Sequence, residues 1–174
     1  MLNKSIAARK NIIRIVVLAV LLLMTYVADM VPFTFWRAVS PDFLVVFAIT
    51  VSMFAPPLTA ACFAVAAGLL KDLSSTGIFG FHGILYLVLA VAVSLVVALL
   101  IRRSFTNALI INAVGIIMAK SFYYFIFNVL FEKGGRIALF YRSVIPSIFI
   151  TILIVPITYF IIKKINDYLG EEEL

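Results

Sequence analysis

The chain has 174 residues, of which 65% are hydrophobic and 13% are charged, and its mean hydropathy is +1.21. A water-soluble domain is about half apolar and about a quarter charged, so this composition excludes a soluble fold and indicates an integral membrane protein. The net charge of +6 does not indicate nucleic-acid binding, because no basic stripe with interleaved aromatic residues lies outside the apolar runs. One cysteine, Cys62, and one histidine, His82, exclude an internal disulfide and offer no metal site, and no cofactor is expected.

Six apolar segments follow one another with short connections and predict six transmembrane helices in a single integral membrane domain over residues 1–174. The segments are 11–30, 42–55, 57–72, 82–101, 105–131 and 137–162. The basic start resembles a signal peptide, but no small-x-small cleavage site follows the first segment, so an uncleaved helix is expected. The predicted fold is therefore all-α and polytopic.

The second and third segments are shorter than the other four. At about 1.5 Å per residue they measure roughly 21–24 Å, whereas the hydrocarbon core of a bilayer is about 30 Å thick. Either the bilayer thins around them or neighbouring polar loops extend their ends. A single re-entrant hairpin formed by both segments is the alternative topology.

The connections contain residues that favour turns and helix ends. Pro41 suits the first position of the second helix, because proline is favoured there. The Asp42 carboxylate is favourable near the positive end of the dipole of this helix. Two consecutive prolines end that helix and begin the next, and two glycines allow the chain to reverse between the third and fourth segments. The predicted turn residues are Pro41, Pro56, Pro57, Gly77 and Gly80.

Basic residues near the segment ends predict the orientation in the membrane. If the N-terminus is cytoplasmic, that side receives eight of them: Lys4, Arg9, Lys10, Arg14, Arg102, Arg103, Lys163 and Lys164. The outer side receives Arg37, Lys71, Lys133 and Arg136, with Arg142 a turn or two inside the sixth segment. Both termini are therefore predicted to lie in the cytoplasm.

Small residues recur every four positions on two neighbouring segments. On the third segment they are Ala60, Ala64 and Gly68, and on the fourth they are Ala90, Ser94 and Ala98. Lipid is as apolar as leucine, so membrane helices associate where small side chains let their backbones approach. These two stripes are predicted to be packing faces, although alanine is also simply common in membrane helices.

Apart from the basic anchors, most polar side chains fall at the predicted outer ends of the segments. Ionisable groups at membrane depth are costly, so they tend to pair and to mark sites. Asp29 and Asp72 allow two interpretations. Either they lie at headgroup level and pair with Arg37, Lys71 or Arg136, or they organise a surface that another protein or a ligand recognises.

Three further polar residues have interpretations of their own. Asp42 is explained as a helix-start charge, and His82 as an interfacial residue. Lys120 lies about two-thirds of the way along the fifth segment, too deep to reach the cytoplasmic surface. It is expected to face the bundle and find an acid, a carbonyl or a tyrosine hydroxyl, either to stabilise the bundle or in a coupling or ligand role.

The sequence contains no pattern typical of a catalytic centre. HExxH, CxxC, GxSxG and phosphate-loop motifs are all missing. Cys62 and His82 are predicted to lie at different depths, so they cannot form a dyad. The protein is therefore predicted not to be an enzyme.

Two stretches carry a resemblance to a known family: PDFLVVFAI from Pro41, and GLLKDLSSTGIFGFHGIL from Gly68. Their Pro-Asp start, their Gly-Leu-x-x-Asp helix end and the later Gly80 resemble the bacterial rod-shape-determining MreD family. The length and segment order match over most of the chain, and the motifs over residues 41–85. Lys71, beside the motif aspartate Asp72, departs from the family pattern and changes the charge of this loop.

The resemblance implies a non-enzymatic scaffold or regulator of cell elongation in the bacterial cytoplasmic membrane. It implies association with MreC, with MreB filaments, and with RodA and its penicillin-binding partner. The protein would also contact membrane lipid, and a homodimer is a further option. Asp72 lies at the C-terminal end of a helix, where the helix dipole disfavours a negative charge. It is therefore expected to pair with a basic group or a backbone N–H. A helix end held in this way would form a fixed surface for a partner protein. The partner-interface candidates are Asp29, Arg37, Asp42, Asp72, Lys120 and Arg136.

The implied fold resembles the six-helix substrate-binding subunits of energy-coupling-factor transporters, and this likeness supplies the alternative function. The outer polar rim would then be the mouth of a pocket for a small, vitamin-like molecule. The residues lining it would be Trp36, Asp42, Asp72, His82 and Glu132. A third interpretation, handling of a lipid-linked precursor, has no specific residue behind it.

Overall fold

The computed structural model of the protein describes residues 2–30, 41–75, 78–99, 103–126 and 144–169. The described residues form six α-helices: α1 Leu2–Met30, α2 Phe43–Phe54, α3 Pro57–Ser74, α4 Phe81–Leu99, α5 Phe105–Tyr124 and α6 Ile145–Leu169. Five of these helices are long and apolar enough to cross a membrane, and α2 is a shorter apolar helix. The prediction of an all-α, polytopic membrane protein is confirmed.

The helices alternate in direction. Lys71, near the end of α3, contacts Asp29, near the end of α1. Lys120, near the end of α5, approaches Asp42, which directly precedes α2. We call this the cluster end of the bundle. The opposite end is the basic end, where the exposed residues Arg9, Lys10, Arg103, Lys163 and Lys164 lie. The start of α1 and the end of α6 are both at the basic end.

The helix α2 forms the centre of the bundle. It contacts all five of the other described helices, and every residue from Leu44 to Phe54 is buried. A helix that is apolar on all sides is typical of a protein interior. Its 12 residues measure about 18 Å, less than the hydrocarbon thickness, but its ends meet protein rather than lipid.

The helices α3 and α4 approach each other closely at Gly68. A Cβ atom at this position would overlap the His82 carbonyl group and the Gly83 Cα atom, so no larger residue fits without a backbone shift. Four further small residues of the two predicted stripes are also buried: Ala60, Ala64, Ala90 and Ser94. A packing role for these stripes is consistent with this burial.

Ala98 does not belong to the packed stripe, because it is exposed, and the prediction for this residue is wrong. Gly68 lies opposite His82 and Gly83. From there α4 continues for about 22 Å to Ala98, whereas α3 extends only about 16 Å back to its start at Pro57. Ala98 therefore lies beyond the start of α3.

Polar and small side chains connect α2 to its neighbours α4 and α5. The Ser94 hydroxyl donates to the Ser52 carbonyl at 3.2 Å, and the Thr50 hydroxyl donates to the Asn112 side-chain oxygen at 3.5 Å. Gly115 leaves room for the end of the Ile49 side chain. These contacts fix α2 at short distances from both neighbours, as small and polar residues do in membrane bundles.

The outer helices present large apolar side chains away from the bundle. Among the exposed ones are Leu23 on α1, Val88 and Leu95 on α4, Ile117 on α5 and Leu153 on α6. A soluble protein rarely exposes apolar surface on this scale. This surface is the one that contacts lipid chains.

Candidate functional site

The two ends of α2 are held by two charged side chains of α1. The Phe43 N–H, at the start of α2, donates to Asp29 Oδ1 at 3.1 Å. At the other end, Arg14 Nη2 donates to the Phe54 carbonyl oxygen at 3.0 Å. A carboxylate at a helix N-terminus and a guanidinium at a C-terminus both oppose the charges of the helix dipole.

Asp72 holds the start of α4, although it belongs to α3. Its carboxylate accepts hydrogen bonds from the backbone N–H groups of Gly80 at 2.9 Å, His82 at 3.2 Å and Gly83 at 3.4 Å. His82 Nδ1 lies 2.7 Å from Asp72 Oδ1. Gly80 has a φ angle of +92°, which favours glycine, and it allows the loop to turn back toward Asp72. The expectation that Asp72 has a backbone donor as partner is confirmed.

Asp42 lies between two lysines from different helices. Lys71 Nζ is 3.5 Å from Asp42 Oδ1, and Lys120 Nζ is 3.7 Å from Asp42 Oδ2. The Tyr86 hydroxyl also donates to Asp42 Oδ1, at 3.2 Å. Lys71 in turn donates to Asp29 Oδ2 at 2.7 Å. The predictions that Lys120 faces the bundle and finds an acid, and that Asp29 pairs with Lys71, are confirmed.

Asp42 lies at the start of α2 as expected, but the hydrogen bond to the first N–H of the helix comes from Asp29. Asp42 occupies the N-cap position of α2, but its side chain makes no capping hydrogen bond. Its carboxylate points to lysines and a tyrosine of other helices, while its own N–H donates to Thr151 Oγ1 on α6 at 3.2 Å. The sequence could not show this, because the capping carboxylate comes from another helix.

These contacts define a charge cluster at the cluster end of the bundle: Asp29, Asp42, Lys71, Asp72, His82 and Lys120. Asp29 and Arg14 are 15 residues apart on α1, which corresponds to about 22 Å along the helix axis. A hydrocarbon core is about 30 Å thick, so the Cα atoms of these two residues cannot both lie at its surfaces. Charged groups at membrane depth are costly unless they pair, and the cluster supplies this pairing.

A cleft of about 450 Å³ opens beside the charge cluster. It is lined by Asp29, Met30, Asp42, Lys71, Ser74, Ser75, His82, Tyr86, Ala119, Lys120 and Tyr123. The rings of His82 and Tyr123 stack on one side, with their centroids 5.0 Å apart. The cleft has the polar lining of a recognition site, while Asp72 lies beneath it with its side chain 1% exposed.

The arrangement orders helix ends. The three carboxylates accept from backbone N–H groups, ammonium groups, a tyrosine hydroxyl or the imidazole ring. In the described part of the chain, no group of three or more His, Cys, Asp or Glu residues is placed to hold a metal ion. Paired charges of this kind fix how helices meet.

The structure brings four of the six partner-interface candidates together, namely Asp29, Asp42, Asp72 and Lys120. Arg37 and Arg136, the turn residue Gly77, and Trp36 and Glu132 of the alternative pocket lie outside the described residues. Tyr86 and the hydrogen-bonding role of His82 were missed by sequence reasoning. His82 follows Asp72 by ten residues across a glycine-containing loop, and this proximity was the available signal.

The fold and the charge cluster together define a multi-pass, all-α membrane protein whose polar side chains meet at one end of the bundle. A family model described as rod shape-determining protein MreD matches residues 9–165. The chain therefore belongs to the MreD family, and it is a rod shape-determining membrane protein associated with the shape-determining machinery. No curated protein and no solved structure matches the chain, so the resemblance to energy-coupling-factor subunits stays a prediction.

Proposed function

We propose that this protein is a non-enzymatic scaffold of the cell-elongation machinery in the bacterial cytoplasmic membrane, that it binds MreC, and that its termini are cytoplasmic. Through MreC it would be connected with MreB filaments on the inside and with RodA and its penicillin-binding partner. Membership of the MreD family supports the broad role. The cluster end would then face outward, since the exposed basic residues in the described part of the chain, Arg9, Lys10, Arg103, Lys163 and Lys164, lie at the opposite end.

One observation carries this proposal: the carboxylate of Asp72, near the end of α3, holds the start of α4. Three backbone N–H groups and one imidazole surround its carboxylate, whose side chain is 1% exposed. A loop that is held in this way offers a preformed surface, and preformed surfaces lose less conformational entropy when a partner binds. A scaffold needs a fixed surface of this kind, whereas the acids of a catalytic centre need access to a substrate.

The test is copurification of MreC with variants of this protein in a mild detergent. Asp72→Ala should release the loop and reduce the amount of MreC that is recovered. Ala64→Leu, which disturbs buried packing away from the loop, is the matched control for a general loss of stability. MreC recovery at the wild-type level with Asp72→Ala, in cells that remain rod-shaped, would contradict a platform role for this loop.

The cleft of about 450 Å³ favours a second candidate function, the binding of a small molecule as in a transporter subunit. Asp42 and His82, two residues of the predicted pocket, line this cleft. Mass spectrometry of the purified protein should then find a stoichiometric, vitamin-like ligand, and an energising ATPase module should copurify. A preparation that carries MreC, no such ligand and no ATPase module favours the scaffold.

A further inference from the structure

A second cavity, an apolar groove of about 580 Å³, lies between α4 and α5. Phe81, Ile84 and Val88 line it from α4, and Met118 and Phe122 line it from α5, together with Phe125 just after that helix. Among the described residues that line the groove, Ser121 is the one with a polar side chain. A groove with this lining in a membrane helix bundle accepts hydrocarbon.

The groove and the polar cleft share a wall of aromatic rings. His82 and Tyr123 face the cleft, and their ring centroids are 5.0 Å apart. The next residues, Phe81 and Phe122, line the groove with stacked rings 6.2 Å apart. A polar compartment and an apolar compartment therefore lie side by side at the same end of the bundle, which suits a molecule with one polar end and one apolar end.

The length of the groove matches one leaflet of a bilayer. Along α4 it extends from Phe81 to Leu89, about 12 Å, and along α5 and its C-cap residue from Met118 to Phe125, about 11 Å. One leaflet contributes about 15 Å of the hydrocarbon core. A partner's transmembrane helix would contact the bundle along about 30 Å, so the groove fits a lipid chain of the leaflet at the cluster end better than it fits a helix.

The cleft presents hydrogen-bond donors to this leaflet. The side chains of Lys71 and Lys120 are each 17% exposed, whereas those of Asp29 and Asp42, which pair with them, are 2% and 8% exposed. Ser74 and Ser75 also line the cleft, but their hydroxyl groups donate to the carbonyl oxygens of Lys71 and Asp72, so the lysines are the donors that matter here. The accessible side of the charge cluster is thus the ammonium side, and ammonium groups bind phosphate oxygens strongly.

We infer that the cleft and the groove together bind one phospholipid of the leaflet at the cluster end. The phosphate headgroup lies near Lys71 and Lys120, and one acyl chain occupies the groove between α4 and α5. The aromatic rings between the two compartments support the part of the lipid that joins headgroup and chain. This site does not depend on the scaffold role, since it requires only the lipid that surrounds the protein.

Tryptophan quenching by brominated lipids tests the site in vesicles of a phosphate-free galactolipid. The chain's single tryptophan is first removed by Trp36→Phe, and Val88→Trp then reports on the groove. Val88 is 60% exposed, so the larger ring can be accommodated. Leu153→Trp, at a residue of α6 that is 74% exposed, is the matched control on ordinary lipid-facing surface. Ile84→Trp, at a residue that is 68% exposed, provides a second groove reporter.

Brominated phosphatidylglycerol should quench the groove reporters at a mole fraction about tenfold lower than the control, the effect expected from one charge-assisted hydrogen bond. Brominated galactolipid should quench groove and control positions alike. Equal curves for all positions with phosphatidylglycerol would overturn the site. Equal preference for brominated galactolipid would overturn the phosphate assignment. Displacement of the lipid by inorganic phosphate alone would mean a free-anion site and would also overturn the inference.

Discussion

Asp29 and Arg14 hold opposite ends of the same neighbouring helix. Asp29 accepts a hydrogen bond from the first N–H of α2, and Arg14 donates one to the carbonyl of the last residue of α2. The two side chains are 15 residues apart on α1, and α2 has 12 residues. Their spacing on α1 therefore matches the length of the helix that they hold, and it fixes the position of α2 along the bundle axis.

Removing the Asp29 carboxylate should destabilise the bundle. Asp29→Ala is expected to lower the free energy of unfolding by about 2–4 kcal/mol, because two charge-assisted hydrogen bonds are lost and Lys71 keeps only its longer contact with Asp42. Asp29→Asn keeps an acceptor for the Phe43 N–H and should lose less. Unfolding in mixed detergent micelles measures the change, with exposed Arg9→Ala as the control; equal stability of all three variants would contradict the role of Asp29.

The contact between Asp72 and His82 should appear as an energetic coupling. In a double-mutant cycle of Asp72→Asn and His82→Ala, the two losses of stability should fail to add, with a coupling of roughly 1–3 kcal/mol. The physical reason is that His82 Nδ1 lies 2.7 Å from Asp72 Oδ1 while both side chains are buried. Additive losses in the same unfolding measurement would show that the two residues stabilise α4 independently.

Gly68, within α3, and Gly80, just before α4, should respond differently to substitution by alanine. Gly68→Ala should cost about 3 kcal/mol, at the upper end for overpacking, because the new methyl group meets the backbone of His82. Gly80→Ala should cost about 1–2 kcal/mol, since the space is open and only the positive φ angle is unfavourable. Thermal unfolding in detergent compares them, and the reverse order would contradict the close approach of α3 and α4.

The two ends of the small-residue stripes should also differ. Ala64 is fully buried, so Ala64→Leu is expected to destabilise the protein by about 1–3 kcal/mol. Ala98 is exposed beyond the start of α3, and Ala98→Leu should change stability by less than about 0.5 kcal/mol. The free energy of unfolding of both variants is measured under the same conditions. A similar loss of stability for both would indicate that Ala98 also lies in the packed interface.

The orientation can be tested with single cysteines in a Cys62→Ala background. Ser75→Cys lies at the cluster end and should react with a membrane-impermeant maleimide added to intact spheroplasts. Lys164→Cys lies at the basic end and should react only after the membrane is opened. The reverse pattern would place the basic end outside and would contradict the distribution of lysine and arginine.

The helices were largely predictable from the sequence, because apolar runs and proline breaks are local signals. The start of α3 at Pro57 and the start of α5 at Phe105 agree with the predicted segments. The inward direction of Lys120 was also predictable, since no water lay within its reach. The burial of α2 had a signal as well, because a short helix that is apolar on every side is typical of an interior.

The cross-helix contacts of the charge cluster were not predictable in the same way. That Asp29 caps α2, and that Asp42 instead meets Lys71, Lys120 and Tyr86, depends on how distant helices are placed in space. A single sequence records spacing along one helix but not the rotation of one helix about its neighbour. The exposure of Ala98 was missed for a related reason, because the periodicity of α4 does not reveal where α3 begins.

The burial of α2 has a consequence for how the protein enters the bilayer. Until α2 arrives, α1 exposes Arg14 and Asp29 to lipid without their helix-end partners, and charged side chains at membrane depth are costly unless they pair. The short α2 in turn has both of its ends bound by side chains of α1. Biogenesis is therefore expected to deliver these two helices to the membrane as a pair, so the earliest stable intermediate is a hairpin rather than a lone anchor.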